Sequence, residues 1–400
     1  MKIPFSPPDI SELEIQEVTD TLKSGWITTG PKTKLLEQKI SEYCNTERAV
    51  CLNSATAALE LILRLLEIGE GDEVITSAYT YTASASPIYH VGAKIVLVDT
   101  APDSYEMDYA KLEDAITERT KAIIPVDIAG ILCDYDKIFD IVNSKKSIFK
   151  PSGRLQKELG RIAVVADSAH GIGAAKNGKM SGEIADFTSF SFHAVKNITT
   201  AEGGAAAFCK IGNVDADDIY REFQLLSLHG QSKDAFAKNQ PGAWEYDIVS
   251  PAYKCNMTDI AAAMGLAQLK RYDSLMQRRH EIIAKYDNAF RPLGVQTAEH
   301  TGENHKSSGH LYLTRIPNIT AEERNEIIIK LAEMGIFANV HYKPLPMMTA
   351  YKNLGFDIKD YPNAHKQYQN EITLPLHTLL TDEEVLYIIE NYTKILREYL

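Results

Sequence analysis

Five cysteines in 400 residues are too few, too dispersed and too odd in number to staple a fold. Cys44, Cys51, Cys133, Cys209 and Cys255 make no CxxC pair and no cluster with histidine, so no disulfide framework and no metal site is expected. Positive charge is also short. Lys and Arg number 42 against 54 Asp and Glu, a net charge of −12, and a surface of that sign argues against nucleic acid as a partner. It leaves room for a small anion in a locally positive pocket. No apolar run is long enough to span a bilayer, and the opening MKIPFSPPDI lacks the basic-then-apolar order of a leader. Internal repeats and low-complexity segments are absent. The expectation is a soluble cytoplasmic protein with no membrane partner.

What the chain does have is 44% hydrophobic residues over a length that can bury a substantial core. A large domain, residues 1–275, followed by a smaller one, 276–400, is expected. Ser11 and Glu14 have capping-box spacing and open a helix carrying Leu13, Ile15, Val18 and Leu22. Residues 25–32, GWITTGPK, form a Gly/Pro-bounded loop whose Trp26 should pack on its own core or on a partner. A helix follows over 34–43. Seven short strands read at 49–52, 73–75, 94–98, 120–126, 162–166, 187–192 and 204–209. Their continuous Ile/Val character suits an α/β fold, a mostly parallel sheet covered on both faces. Residues 142–160, polar and basic, exceed a usual connection in such a sheet and read as an excursion from the core. A helix over 258–290 then bridges to a small α+β region. Its elements read as strands 310–316 and 337–341, a helix over 321–334 and a final helix over 382–400.

In open α/β sheets ligands gather at the carboxyl ends of strands, and three candidate stretches fall there. Ser54-Ala55-Thr56 opens a nearly all-apolar helix, a place where phosphate binds and also where hydroxyl residues simply cap. In Asp167-Ser168-Ala169-His170-Gly171 the aspartate could be a helix cap and the histidine a satisfied core residue. Ser191 to Lys196 follows an aromatic strand, where a lysine is costly to bury unless paired, neutral or covalently used. Together, an anion cradle, a carboxylate and a buried amine are what pyridoxal phosphate demands. They meet the needs of its phosphate, its pyridine nitrogen and its aldehyde in turn. A Rossmann dinucleotide site is the rival, but NSATAA stands where GxGxxG would follow the first strand.

The chain resembles the sugar-nucleotide aminotransferases of the DegT/DnrJ/EryC1/StrS group, fold-type I enzymes that use pyridoxal 5'-phosphate. The likeness runs through GWITTGPK (25–32), NSATAAL (53–59), GDEVITSAYTYTA (71–83) and TKAIIPV (120–126). It continues through DSAHGIGA (167–174), SFHAVKNITTAEGG (191–204) and YKCNMTDIAAA (253–263). It implies Lys196 as the Schiff-base lysine, Asp167 as partner of the pyridine nitrogen, His170 beside the ring and Tyr81 stacked on it. It implies Ala55, Thr56 and Ser191 on the phosphate. Asn256 would reach the phosphate of the neighbouring subunit, in a homodimer with shared active sites.

FHAVKNIT and the histidine at 170 are most similar to members that aminate C4 of a UDP-linked 4-keto sugar, the 4-amino-4-deoxy-arabinose type. The implied reaction transfers the amino group of L-glutamate to a keto group of a nucleotide-linked keto-deoxy sugar, with pyridoxamine phosphate between the two halves. Trp26, Thr28, His229, His310 and His341 are candidates for holding the sugar nucleotide. The alternatives are a C3 keto-sugar or cyclic-ketone aminotransferase, or a non-catalytic regulator with the same fold. A dehydratase of this family would lack the lysine. Two positions depart from the family's pattern: Asp127, where histidine is frequent, and Ser168, where alanine is common.

Overall fold

The computed structural model describes residues 1–232 and 245–400. Near the N-terminus, helix α1 (Glu12–Ser24) opens with the expected capping box and stops at Gly25, whose φ of 75° suits glycine. Helix α2 (Pro31–Cys44) follows, and then the sheet begins. Its strands are β1 (Arg48–Leu52), β2 (Glu73–Ser77), β3 (Lys94–Val98), β4 (Thr120–Ile124), β5 (Ala163–Asp167), β6 (Phe187–Ser191) and β7 (Gly204–Phe208). They lie in the order β1-β7-β6-β5-β4-β2-β3. Neighbours pair in parallel except at β7, which runs against both β1 and β6. Each expected strand of this sheet matches to within two residues at either end.

Burial on both faces explains the apolar runs. On β1, Val50 and Leu52 pack with helix α3 (Ala55–Leu65), while Ala49 and Cys51 pack with α2 and a long helix from the second half of the chain. The stretch 142–160 is not an excursion. It contributes the end of α4 (Tyr135–Ser144) and all of α5 (Arg154–Leu159), the crossover between β4 and β5. Leu155 and Gln156 within it are buried, and Gln156 Nε2 donates to Leu66 O at 2.6 Å. Its polar composition conceals a side chain that satisfies the carbonyl end of α3.

The long helix is α6 (Asp259–Phe290), continuous across 275/276, where the domain division was expected. Beyond it a three-stranded antiparallel sheet, β8 (Gln296–Thr297), β9 (Tyr312–Arg315) and β10 (Glu371–Leu374), packs with α7 (Ala321–Glu333) and α8 (Asp382–Leu396). Their core takes in Ile282, Tyr286 and Phe290 of α6. The strand expected at 337–341 does not form. Only Asn339 bridges to Thr373 before the chain turns toward the large sheet, and Glu371–Leu374 is the strand instead. No helix among the described residues is long and apolar enough to cross a membrane.

One carboxylate ties the two halves to the N-terminal loop. The cap of α2 is Gly30, which has no side chain to offer. Asp259, the first residue of α6, accepts instead from the N–H groups of Gly30 (2.8 Å), Lys32 (3.0 Å) and Thr33 (2.9 Å) and from Thr33 Oγ1 (2.7 Å). Asp259→Ala should therefore lower stability by about 3 kcal/mol, read as a lower denaturant midpoint, and Asp259→Asn by less because one acceptor oxygen remains.

Candidate active site

A crevice of about 360 Å³ lies where the carboxyl ends of β5 and β6 meet the start of α3. Ser54 caps that helix, its Oγ accepting from Ala57 N–H at 3.1 Å. The N–H groups of Ala55 and Thr56, with no acceptor among the described residues, are left to an anion at the positive end of the helix. Behind them passes β7. Ser189 Oγ on β6 donates to Ala55 O at 3.1 Å, and a Cβ on Gly204 would collide with Ala55 N. Only glycine lets this strand run so close to the helix start. Ser191, the last residue of β6, also lines the cavity.

Asp167 ends β5 and is buried. Ser84 Oγ donates to its Oδ2 at 2.6 Å and Ala169 N–H to Oδ1 at 3.2 Å, while Thr80 Oγ1 lies 2.7 Å from Ser84 Oγ. Burial raises the Asp167 carboxyl above the usual range, opposed by those two bonds and by the charge of Lys196. Lys196 is half-buried, its N–H donating to His193 O at 2.9 Å in the turn after β6. Burial pushes its amine down to about 8, with Asp167 opposing the fall. One cause, removal from water, thus moves both groups toward neutrality. An amine tuned this way can carry protons near neutral pH.

A cluster of rings adjoins this pair. Ala129 N–H donates to His170 Nδ1 at 3.2 Å, so the neutral imidazole bears its proton at Nε2, 3.1 Å from Tyr342 Oη. Burial holds the pKa of His170 well below its ordinary value. Its ring centre lies 4.3 Å from that of His310, which bonds Asn197 Oδ1 through Nδ1 at 2.8 Å. Tyr81 is 58% exposed at the cavity and tilts against Tyr342 at 6.0 Å. His341 lines the cavity as well, stacked on Phe5 at 5.4 Å.

The two departures noted in the sequence touch each other. Ser168 Oγ donates to Asp127 Oδ2 at 2.6 Å, and Cys133 N–H (3.0 Å) and Tyr135 Oη (3.1 Å) bond the same buried carboxyl. Burial raises it to about 7. Asp127 N–H in turn donates to Asp167 O at 3.0 Å, so this pair braces the backbone that presents Asp167.

Of the expected site residues, the cavity gathers Ala55, Thr56, Tyr81, Asp167, His170, Ser191, Lys196, His310 and His341. Trp26, Thr28, His229 and Asn256 lie outside it. Trp26 Nε1 donates to Thr29 O at 3.2 Å, Asn256 Nδ2 bonds Thr29 Oγ1, and Thr28 and His229 are exposed. Sequence reasoning missed Ser84, Asn197 and Tyr342. Ser84 and Asp167 are 83 residues apart, and only the β2, β4, β5 neighbourhood unites them. Tyr342 did carry a signal, its place beside His341.

These groups fit pyridoxal phosphate: free donors where its phosphate would lie, and a carboxyl and an amine on the same space. With seven strands, one reversed, they define the class, a pyridoxal-phosphate-dependent transferase of fold-type I. The DegT/DnrJ/EryC1/StrS aminotransferase family model matches residues 8–393, and the chain belongs to that family. Among solved structures, Spr1654 from Streptococcus pneumoniae, described as a sugar aminotransferase, is 60% identical in its PMP-form. Its TM-score is 0.97, and 100% of both chains is covered. Spore coat polysaccharide biosynthesis protein SpsC of Bacillus subtilis is 37% identical over 99% of this chain and 97% of its own. The UDP-4-amino-4-deoxy-L-arabinose--oxoglutarate aminotransferase of Shewanella sediminis is 34% identical, covering 98% of each.

A lysine at about 8 should stand out chemically. In the cofactor-free protein, Lys196 should react with an amine-selective label at lower pH than ordinary lysines, by peptide mapping. Because the charge of Asp167 supports the protonated amine, Asp167→Asn should move the midpoint lower still.

Proposed function

We propose that this aminotransferase moves the amino group of L-glutamate to a keto group, at C4, of a nucleotide-linked keto-deoxy sugar. The observation that carries the chemistry is the meeting of Lys196, Asp167 and the Gly204-backed start of α3 in one crevice. The sugar and the donor are supported by what the relatives are named for, an amino-deoxy-arabinose–oxoglutarate aminotransferase among them. Bound pyridoxal phosphate supplies an aldehyde that an amine can hold and a ring that stores the electron pair left by a broken C–H bond.

The residues of the chain do the rest. Ala55 and Thr56 N–H and the Ser191 hydroxyl hold the phosphate. Asp167, steadied by Ser84 and Ala169, keeps a proton on the ring nitrogen. Lys196 is the amine that binds the aldehyde. With the cofactor bound, its Nζ would take the α-proton of glutamate and later deliver one to the sugar carbon that receives nitrogen. His170, neutral and donating through Nε2 to Tyr342, would lie beside the cofactor ring, and Tyr81, tilted against Tyr342, would cover it.

Asn256, Trp26, Thr28 and His229 fit a homodimer in which each copy completes the other's site. The neighbouring stretch leaves Ile248 (48%), Val249 (56%) and Tyr253 (39%) exposed, an apolar surface that a second copy would cover.

Two experiments test this reading. The purified protein should show a visible band that L-glutamate removes and Lys196→Ala lacks. A panel of UDP-, dTDP- and GDP-linked keto sugars should then restore it by single turnover, and restoration only by C3 ketones would sink the C4 assignment. Mixing inactive Lys196→Ala with Asn256→Ala should recover part of the wild-type rate, because half-sites exchange; no recovery speaks against shared sites.

A further inference from the structure

His341 faces the cavity, but the side chains that hydrogen-bond it do not. Its Nδ1 lies 2.9 Å from Thr373 Oγ1, and Thr373 Oγ1 lies 2.6 Å from Glu371 Oε1. The other carboxyl oxygen, Oε2, accepts from the His341 backbone N–H at 2.8 Å. Glu371 and Thr373 sit on β10, both fully buried, and neither lines the crevice. Tyr79 Oη donates to His341 O at 2.8 Å and Phe5 stacks on the ring, so the imidazole is fixed in place. Nε2 has no protein partner among the described residues.

A single hydroxyl between a carboxyl and an imidazole has only two consistent arrangements. With Glu371 ionised, Thr373 must donate to it and accept from His341 Nδ1–H, leaving Nε2 as a bare acceptor. With Glu371 protonated, Oε2 is already engaged as acceptor, so the proton sits on Oε1 and donates to Thr373. Thr373 then donates to Nδ1, and His341 carries its proton on Nε2. We propose that Glu371 sets, through Thr373, which nitrogen of His341 is protonated, and so whether His341 Nε2 accepts a hydrogen bond from a sugar hydroxyl or donates one to it. Glu371 and Thr373 are thus positioning residues. The sugar half of this inference rests on the keto-sugar reading; the relay does not.

The surroundings make both arrangements reachable. Burial raises Glu371 to about 8, against the bonds from Thr373 and His341 and the charges of Arg324 and Arg315. Tyr79, Tyr105, Tyr342 and Tyr392 also face the carboxyl. Burial, then Lys196, pushes His341 down to about 3, and the titratable rings of His170 and His310, both neutral, are its other neighbours. His341 therefore stays neutral while Glu371 titrates, and the change is one of tautomer.

The test is 15N NMR of histidine-labelled holoenzyme, with His341 identified by the signals lost in His341→Asn. Wild type should pass from Nε2–H to Nδ1–H as pH rises through about 8. Glu371→Gln, whose amide can only donate to Thr373, should hold Nε2–H at every pH. Thr373→Ser should keep the transition and Thr373→Val should abolish it, a comparison that stands even if Glu371→Gln fails to fold. A single tautomer throughout in wild type, or a transition persisting in Glu371→Gln or Thr373→Val, overturns the proposal. No substrate is needed, so a wrong sugar assignment leaves this result untouched.

Discussion

The structure depends on keeping a carboxyl and an amine together, out of water, at one edge of a sheet. Neither Asp167 nor Lys196 would stay there alone, because an unpaired buried charge is costly. Each lowers the other's cost, and the shared desolvation brings an ordinarily acidic group and an ordinarily basic one toward neutral pH from opposite sides. The parallel sheet makes this affordable by ending β5 and β6 side by side, with connections rather than strands above them. Reversing β7 then returns the chain from the lysine turn straight back under the helix that cradles the phosphate.

Around that pair, support comes from polar groups that never enter the crevice. Ser84 steadies Asp167 from the loop after β2. Ser168 and Asp127 brace its backbone, while Asn197 orients His310 and also donates to Ser308 O at 2.8 Å. The second sheet contributes in the same manner, through Thr373 and Glu371 behind His341. Ring orientation and proton location are fixed by partners one layer out, as in other sites where an imidazole must present a chosen nitrogen.

Much of this was legible in the chain. Strands buried on both faces must be apolar throughout, so the large sheet could be read from runs such as KIVLV and AVVAD. The three stretches at its carboxyl edge were legible because hydroxyl, carboxylate and lysine follow strands at once. Long-range partners were not. Ser84 looks like any hydroxyl in YTYTASAS, and the short strand EITL (Glu371–Leu374) was passed over while 337–341 looked equally extended. Residues 142–160 misled for the opposite reason: polarity there serves a buried amide bond. Trp26, Thr28, His229 and Asn256 fall outside the cavity, in segments whose packing the residue types alone did not reveal.

The reversed strand also sets an order of events during synthesis. β7 slots between β1 and β6, so residues 204–208 must leave the ribosome before residues 48–52 have their sheet neighbour. Until then α3 can fold, but the wall behind its first turn is missing. A nascent chain arrested before Gly204 therefore lacks the strand that backs the first turn of α3, and the anion site at that turn stays incomplete until β7 has been made.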